Sequence, residues 1–400
     1  MKTNIGVFFG GRSTEHEISV ISASQAMAAI DRSKFDVTPV YITKQGRWYT
    51  GEALLDVANY RNPKALLEKC EEVYMQPTYG DYNLYRVKRG LFDRKGIVCR
   101  LDVVIPVLHG SNGEDGTFEG VLDSIGIPYA GCNVLASANG MDKITMKMIL
   151  AAGGVPVVDY VWFTDKQWFA RRDELIGQVE SKLGYPVIVK PANLGSSVGI
   201  ATAHNREELL EKVSDAERYS TRIIVEHLLA DMQEINCSVL GDCDDYQTSE
   251  LEEPLRGTEF LTYEEKYCGG GSKGGAKGMQ RSMKRIPAEL PADTTAEIQR
   301  LAGETFRQLG CHGVSRVDVM IDRTDGKIYV NEINTSPGSL SFYLWEATGI
   351  SFPKLMERLV ELAVKRKRAM ELKTVSYDQN IFAMGGGVKG GVKGAKGGVK

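Results

Sequence analysis

Short apolar runs alternate with amphipathic segments through the first third of the chain: IGVFFGG near the start, a helix predicted from about Ser19 to Ile30, VTPVYIT, and then LDVVIPVLHG. Strands that alternate with helices in this way build a mostly parallel, doubly wound sheet, whose ligands collect at the carboxyl ends of the strands. Two loops fall at such ends, GGRSTEHEIS and HGSNGEDGTFEG. From about Asn133 the texture changes to helix, strand, loop and strand again, ending at IIVEHLL, which marks a small α+β module. The last third pairs strands with helices at Ala296–Leu309 and Phe352–Leu372. The fold class is therefore α/β and α+β, with expected domains 1–133, 134–226 and 227–372.

The most regular pattern in the chain is VSRVDVMIDRTDGKIYVNEIN, residues 314–334, which is apolar at alternate positions on both sides of Thr324-Asp325-Gly326. That reads as a β-hairpin. A register centred on Asp325 sets Asp318 opposite Glu332 and Arg316 opposite Asn334, and the two-residue repeat of a strand puts all four on one face. Carboxylates opposed across a ladder repel. An acid pair of this kind can be a solvated surface feature, or it can hold a cation. With an amide oxygen beside them, the two carboxylates form an all-oxygen donor set of the kind that suits Mg²⁺, and Mg²⁺ implies phosphates.

Composition narrows the setting without selecting a function. The 400 residues are enough for two or three domains; 42% hydrophobic and 25% charged residues are ordinary for a soluble protein, and a formal charge of −3 offers nothing to nucleic acid or to a membrane surface. Seven cysteines are scattered with no Cys-x-x-Cys pair, the pattern of reduced thiols, and no apolar run reaches transmembrane length. The expected location is cytoplasmic. Two segments, GGGSKGGAKG within 269–278 and the Gly/Lys tail 385–400, are too polar and glycine-rich to offset their ordering entropy. The first lies in an irregular stretch, 256–285, that reads as a mobile lid; the second reads as a disordered tail.

Other residues fit a nucleotide. Lys190 ends the strand YPVIVKP, and the loop after it, ANLGSSVG, contains Ser196 and Ser197, small residues that let backbone N–H groups approach an anion. Glu226, at the end of IIVEH, can accept from an adenine amino group, and the backbone of Leu228 and Leu229 continues that edge. Glu234 can hold ribose hydroxyls. With the hairpin acids, these groups supply phosphate, purine, ribose and metal contacts for one ATP.

The words GGRSTEHEIS, LHGSNGEDGTFEG, MDK, GYPVIVKPANLGSSVG, VEHLL, YEEKY, SRVDVM and NEINTSPG, in that order, resemble the ATP-grasp superfamily and specifically its D-alanine–D-alanine ligases. The resemblance implies an ATP-grasp fold in which two α+β domains sandwich ATP after a Rossmann-like domain. It implies ligation of two D-alanines through a D-alanyl phosphate for peptidoglycan precursors, with two Mg²⁺ per site (Mn²⁺ as a substitute) and a homodimer as the common assembly. By the same resemblance Glu15 holds the ammonium of the first D-alanine and His109 lines its pocket. Lys143 and Lys190 contact phosphates, and Lys266 joins them when the lid closes. Ser196 and Tyr267 hydrogen-bond with Glu15; Arg316 lies by the acyl phosphate, and Gly338 offers a backbone donor to the tetrahedral intermediate. Asp318, Glu332 and Asn334 become the metal set.

The acceptor side departs from the family pattern. Where a serine is expected to bind the second carboxylate, the chain reads SLSFYLW, which places Tyr343 at the serine position and Leu344 after it. Phe342 and Trp345 read as core aromatics. D-serine or D-lactate as second substrate is the alternative this departure raises. The tail, with Lys389, Lys393, Lys396 and Lys400 and no acid, is expected to be a solvated coil. A chain truncated after Met384 should keep both its melting temperature and its kcat/KM, and a large loss of either would mean that the tail docks on the body.

Overall fold

Three sheets carry the chain. The computed structural model describes residues 2–88, 96–195, 198–255 and 284–376; the Gly-rich stretch and the tail lie outside them, as do Ser196, Ser197, Lys266 and Tyr267.

The first sheet contains β1 (Thr3–Gly10), β2 (Phe35–Ile42), β3 (Trp48–Thr50), β4 (Glu71–Met75), β5 (Asn83–Arg86), β6 (Ile97–Arg100) and β7 (Val103–Leu108), in the order β6-β5-β4-β3-β2-β1-β7. Only β2, β1 and β7 run parallel; β3 to β6 form an antiparallel wing. The parallel part follows from the crossover helix α1 (His16–Ala29), which gives the chain length to return. Between β3 and β4 the chain forms two 3₁₀ turns and the short helix α2 (Pro63–Leu67), and the wing occupies the Tyr- and Lys-rich stretch that shows no strand-helix alternation. β1 and β7 are the switch point, since the chain leaves β1 and enters β7 on opposite sides. Gly10 and His109 follow these strands, so the two loops meet there.

After α3 (Thr117–Ile125), α4 (Val134–Met141) and α5 (Lys143–Ala152) comes a four-stranded antiparallel sheet. It contains β8 (Tyr160–Thr164), β9 (Val187–Pro191), β10 (Ala201–Ala203) and β11 (Arg222–His227), in the order β10-β9-β11-β8. Helices α6 (Asp165–Lys182) and α7 (Arg206–Ala216) cover its apolar face. Thr164 and Gln167 form a reciprocal capping box at the start of α6, a signature readable in the sequence.

The third sheet is built from β12 (Met232–Gly241), β13 (Tyr246–Pro254), β14 (Lys284–Arg285), β15 (Gly313–Asp322) and β16 (Ile328–Asn334), in the order β14-β13-β12-β15-β16. Helix α8 (Ala292–Gln308) packs on it through Ile298, Leu301, Ala302 and Phe306. The chain then passes through α9 (Phe342–Ala347) to α10 (Phe352–Glu371). This last helix returns to the first sheet, where Leu355, Leu359 and Ala363 share one core with Val7, Phe9 and α1. Trp345 is fully buried and donates from its indole to Ser238 Oγ (3.0 Å), and Phe342 stacks on Phe352, so both are core aromatics as expected.

Where α10, α3 and β16 meet, a cavity of about 20 Å³ is lined by Glu119, Cys132, Ser336 and Leu359. Among the described residues, Glu119 Oε2 and Ser336 Oγ are buried there without a hydrogen-bond partner. The volume and the two unpaired polar atoms match the needs of one bridging water. Burial pushes the Glu119 carboxyl up to about 8. The folded chain keeps this proton up to about pH 8 while the unfolded chain sheds it near the ordinary carboxylate value, so stability falls as pH rises between the two and then levels off. Glu119→Gln removes that slope. It should be more stable than the parent by on the order of 4 kcal/mol at pH 8, with the gap closing toward pH 4.5, in urea titrations across that range; a pH-independent difference would place the ionisation elsewhere.

Candidate functional site

The hairpin adopts the register read from its pattern: Arg316 pairs with Asn334 and Asp318 with Glu332. A bulge follows immediately, because Val319 pairs with Val330 and leaves Asn331 unopposed. A bulge re-aims side chains. Here the Asn331 amide oxygen reaches Lys190 Nζ (3.4 Å), and Glu332 reaches Lys143 Nζ (3.2 Å). The third sheet thus offers polar oxygens to cations on the four-stranded sheet and on α5.

Each of those lysines is set by its own element. Asp142 caps α5, accepting from the Thr145 N–H (2.8 Å) and pairing with Arg222 (2.6 Å), and this fixes Lys143 in the first turn, where it also donates to the Leu194 carbonyl (2.9 Å). Lys190, on β9, is 6% exposed and donates to Glu226 Oε2 (2.8 Å) from the neighbouring strand β11. Glu226 is 1% exposed, and its other oxygen faces Lys147 (3.4 Å), which is wholly buried. Burial works to raise the Glu226 pKa, yet Lys147 and Lys190 hold it below the usual range; burial pushes Lys147 down. The carboxylate expected at an adenine is thus held between two lysines. Leu229 is buried, and Leu228 donates to the Pro186 carbonyl at 3.4 Å. Glu234 is half-buried on β12, two residues from Asn236 and so on the same face.

The first-domain loops approach the same place. Glu15, 8% exposed, lies between Gly110 and Gly195, where a Cβ on either glycine would stand 3.2 Å from one of its carboxylate oxygens. Gly110 also has φ +70 and leaves space that a Cβ would take from Ser13 Oγ, so glycine is required. Glu114 accepts from the Gly110 N–H (2.8 Å), and burial, then the charge of Glu15, raises its pKa well above the carboxylate range.

His109 is buried between loops. Its Nδ1 faces the Ser336 carbonyl (2.9 Å), which can only accept, so this nitrogen carries the proton and Nε2 (3.0 Å) accepts from Ser22 Oγ. Ser22 in turn accepts from the Ser339 N–H (2.9 Å). Burial lowers the His109 pKa to about 4, so it is neutral in this chain of bonds. What it anchors is unusual: after Gly338, the residues Ser339, Leu340 and Ser341 all have left-handed φ (52, 54 and 50). Each such non-glycine residue costs roughly 1–3 kcal/mol and persists only where neighbours hold it. Ser339 Oγ supplies a second hold by donating to Gln25 (2.6 Å).

Arg316 forms a bidentate pair with Asp318 (2.6 and 2.8 Å), and Asp318 outweighs burial to keep the guanidinium charged. Asn334 donates to Asp318 (3.1 Å). Directly opposite Asp318 on β12 is Asn236, whose Oδ1 is buried with no hydrogen-bond partner among the described residues. Among the described residues no three His, Cys, Asp or Glu side chains form a metal cluster. Two carboxylates, the Asn334 amide and this orphaned oxygen nevertheless make an oxygen-only set that fits a hard divalent cation. Tyr343 does not present a free hydroxyl to a carboxylate: it donates to Glu252 Oε2 (3.0 Å). Leu344 is fully buried.

Sequence reasoning missed Lys147, Glu114, Asn236 and Glu252. Lys147 lies four residues after Lys143 on one helix face, a signal that was available; the others become visible only through the strand pairing and the loop packing.

Two family models match, one described as "D-ala D-ala ligase N-terminus" over residues 4–132 and one as "D-ala D-ala ligase C-terminus" over residues 149–361. The chain is 40% identical over 382 residues to the D-alanine–D-alanine ligase of Acetivibrio thermocellus, covering 91% of this chain and 96% of that one. It is 38% identical to that of Thermosipho melanesiensis, covering 95% and 98%. Among solved structures it resembles the D-alanine–D-alanine ligase of Coxiella burnetii (TM-score 0.76, 29% identity, 92% of this chain and 96% of that one). It also resembles the VanG D-Ala:D-Ser ligase of Enterococcus faecalis (TM-score 0.76, 30% identity, 91% and 100%). No helix among the described residues is long and apolar enough to cross a membrane.

Removing the charge of Glu226 strands two buried ammonium groups. Glu226→Gln should lose about 3–5 kcal/mol of stability by urea unfolding. A loss below about 1 kcal/mol would mean that water already screens the lysines.

Proposed function

The chain belongs to the D-alanine–D-alanine ligase family, and on that premise we propose that it joins two D-alanines at the expense of ATP. The observation that carries this reading is the meeting of Lys143 and Lys190 with Glu332 and Asn331 across the two sheets, beside a Glu15 delivered by the first-domain loop. Cations for phosphates, oxygens for a metal and an acid for an ammonium occupy one place.

In this mechanism Glu15 holds the ammonium of the first D-alanine and so aims its carboxylate at the γ-phosphate, which Lys143 and Lys190 position. The carboxylate oxygen attacks phosphorus, the bond to ADP breaks, and a D-alanyl phosphate forms. Mg²⁺ held by Asp318, Glu332 and Asn334 would neutralise charge on the transferring phosphoryl group; two ions, with Mn²⁺ able to replace them, is the stoichiometry we propose. The second D-alanine, its ammonium deprotonated, then attacks the acyl carbon; the C–N bond forms, phosphate leaves with the electrons of the C–O bond, and the proton remaining on nitrogen passes to the departing phosphate. Arg316 and the Gly338 N–H face the developing oxyanion, where fixed donors act most strongly. The loop residues Ser196 and Ser197 complete the phosphate cradle, Lys266 and Tyr267 close over it, and Glu234 with the Leu228–Leu229 edge holds the nucleoside. Water would hydrolyse the acyl phosphate, which is the reason for closure.

Incubation with ATP, Mg²⁺ and D-alanine should release ADP and phosphate in step with D-alanyl-D-alanine, measured by chromatography. ATP hydrolysis without dipeptide, or condensation only with D-serine or D-lactate, would overturn the assignment. Glu15→Gln should raise the KM for the first D-alanine far more than the KM for ATP. Equal effects on both would make Glu15 a support for the loop.

A further inference from the structure

The turn after β16 borders the cavity of about 20 Å³: Thr335, Ser336 and Leu340 line one side of it, and Glu119 of α3 lines another. Thr335 and Ser336 precede Gly338 and Leu340 follows it, so the space adjoins the whole segment from Asn334 into the left-handed run. The first-domain loop after β7 already ties that segment down. The Ser336 carbonyl accepts from His109 Nδ1 (2.9 Å), Thr335 Oγ1 donates to the Glu114 carbonyl (3.4 Å), and the Ser336 N–H donates to the Glu114 carboxyl. Glu119 Oε2 and Ser336 Oγ, by contrast, are buried without a partner among the described residues. One water satisfies both, since a carboxylic acid can donate to it and it can donate onward to the hydroxyl.

The surroundings of Glu119 favour the acid over the anion. Asp115 ahead of α3, Tyr129, the Cys132 thiol and Arg366 of α10 face it. Arg366 directs donors to the Tyr129 and Gly131 carbonyls (2.7 Å each), while Asp115 and Cys132 add to the cost of a negative charge. Burial is the main reason that the carboxyl keeps its proton up to about pH 8. Once ionised, Glu119 Oε2 has no donor among the described residues and must draw in more water than the space holds, which parts α3 from the turn.

Resting on the ligation reading, we propose that Glu119, through one bound water on Ser336 Oγ, is a positioning residue for the turn that carries Asn334 and Gly338. It touches no substrate. Its acid form holds the turn against α3, so that the Gly338 N–H and the Asn334 amide keep their places as the oxyanion forms. Loss of the proton releases that hold.

Initial rates of the full-length protein at saturating ATP, Mg²⁺ and D-alanine, across pH 6.5 to about 9.5, compare the parent with Glu119→Gln. The ratio of the two kcat profiles, parent over variant, cancels the groups that both share. It should stay level to about pH 7 and then fall about three- to tenfold through a one-proton midpoint near pH 8, with the KM for ATP unmoved. Ser336→Ala should lower kcat to a similar extent at neutral pH and add little further loss in a Glu119→Leu background, because the two side chains serve one water. A ratio that does not change with pH, or independent losses from Ser336→Ala and Glu119→Leu, would overturn the proposal. A readout without turnover separates it from the ligation reading. In proton–nitrogen spectra of histidine-labelled protein, the His109 Nδ1–H on the Ser336 carbonyl should shift with the same midpoint in the parent and hold still in Glu119→Gln. Protein that shows this shift but forms no dipeptide refutes ligation and supports the contact; protein that ligates without the shift refutes the contact.

Discussion

Charge balance in a closed space governs this molecule. Glu332, Asp318 and Glu252 lie on one row of one sheet, and Glu226 lies on a strand of the next, all of them partly or wholly withdrawn from water. Withdrawing a carboxylate from water costs free energy unless cations or hydrogen-bond donors stand beside it. The fold supplies those from separate elements: Lys143 from the start of α5, Arg316 from β15 itself, Lys284 from β14, and Lys190 with Lys147 for Glu226. Because the partners arrive from different parts of the chain, the sheets cannot pack in the observed way without completing the site. Stability and function are joined at these pairs.

The same constraint accounts for what the sequence reveals. The hairpin was legible because strand parity is a local property: alternation in residues 314–334 fixes the face and the register, and with them Arg316, Asp318, Glu332 and Asn334. The parallel core of the first sheet was legible through its crossover helix, while the antiparallel wing was not, since its strands of three to five residues carry little periodicity. Glu252 and Asn236 were hidden because nothing in a single strand says which strand will lie beside it. The left-handed run Ser339–Ser341 was hidden for a different reason. No local propensity favours it, and it exists because α1 and His109 hold it from another domain.

Tyr343 shows how far substitution logic carries. Alignment to a family pattern puts it where an acceptor-binding serine is expected, and the structure sets its hydroxyl on Glu252 and its ring under Lys284. Its role changes with its neighbours, however: a hydroxyl that would donate to a carboxylate in an open pocket instead donates to Glu252. The partner of its hydrogen bond was not predictable from order along the chain.

The unopposed Asn331 has a further consequence. The bulge separates the hairpin into a functional half and a tip, and β15 is paired along its whole length with β12, from Met232 with Asp322 to Gly241 with Gly313. The alignment of Asp318 with Asn236 is therefore held from the β12 side, independently of how the chain turns at residues 323–327. That turn is exposed and bears Gly326 at a left-handed angle. It is the natural place for lineages to lengthen the chain or for a circular permutation to open new termini, since Arg316 and Asp318 are registered by β12, which the cut does not touch, and the ladder from Arg316–Asn334 to Asp318–Glu332 lies beyond the bulge from it.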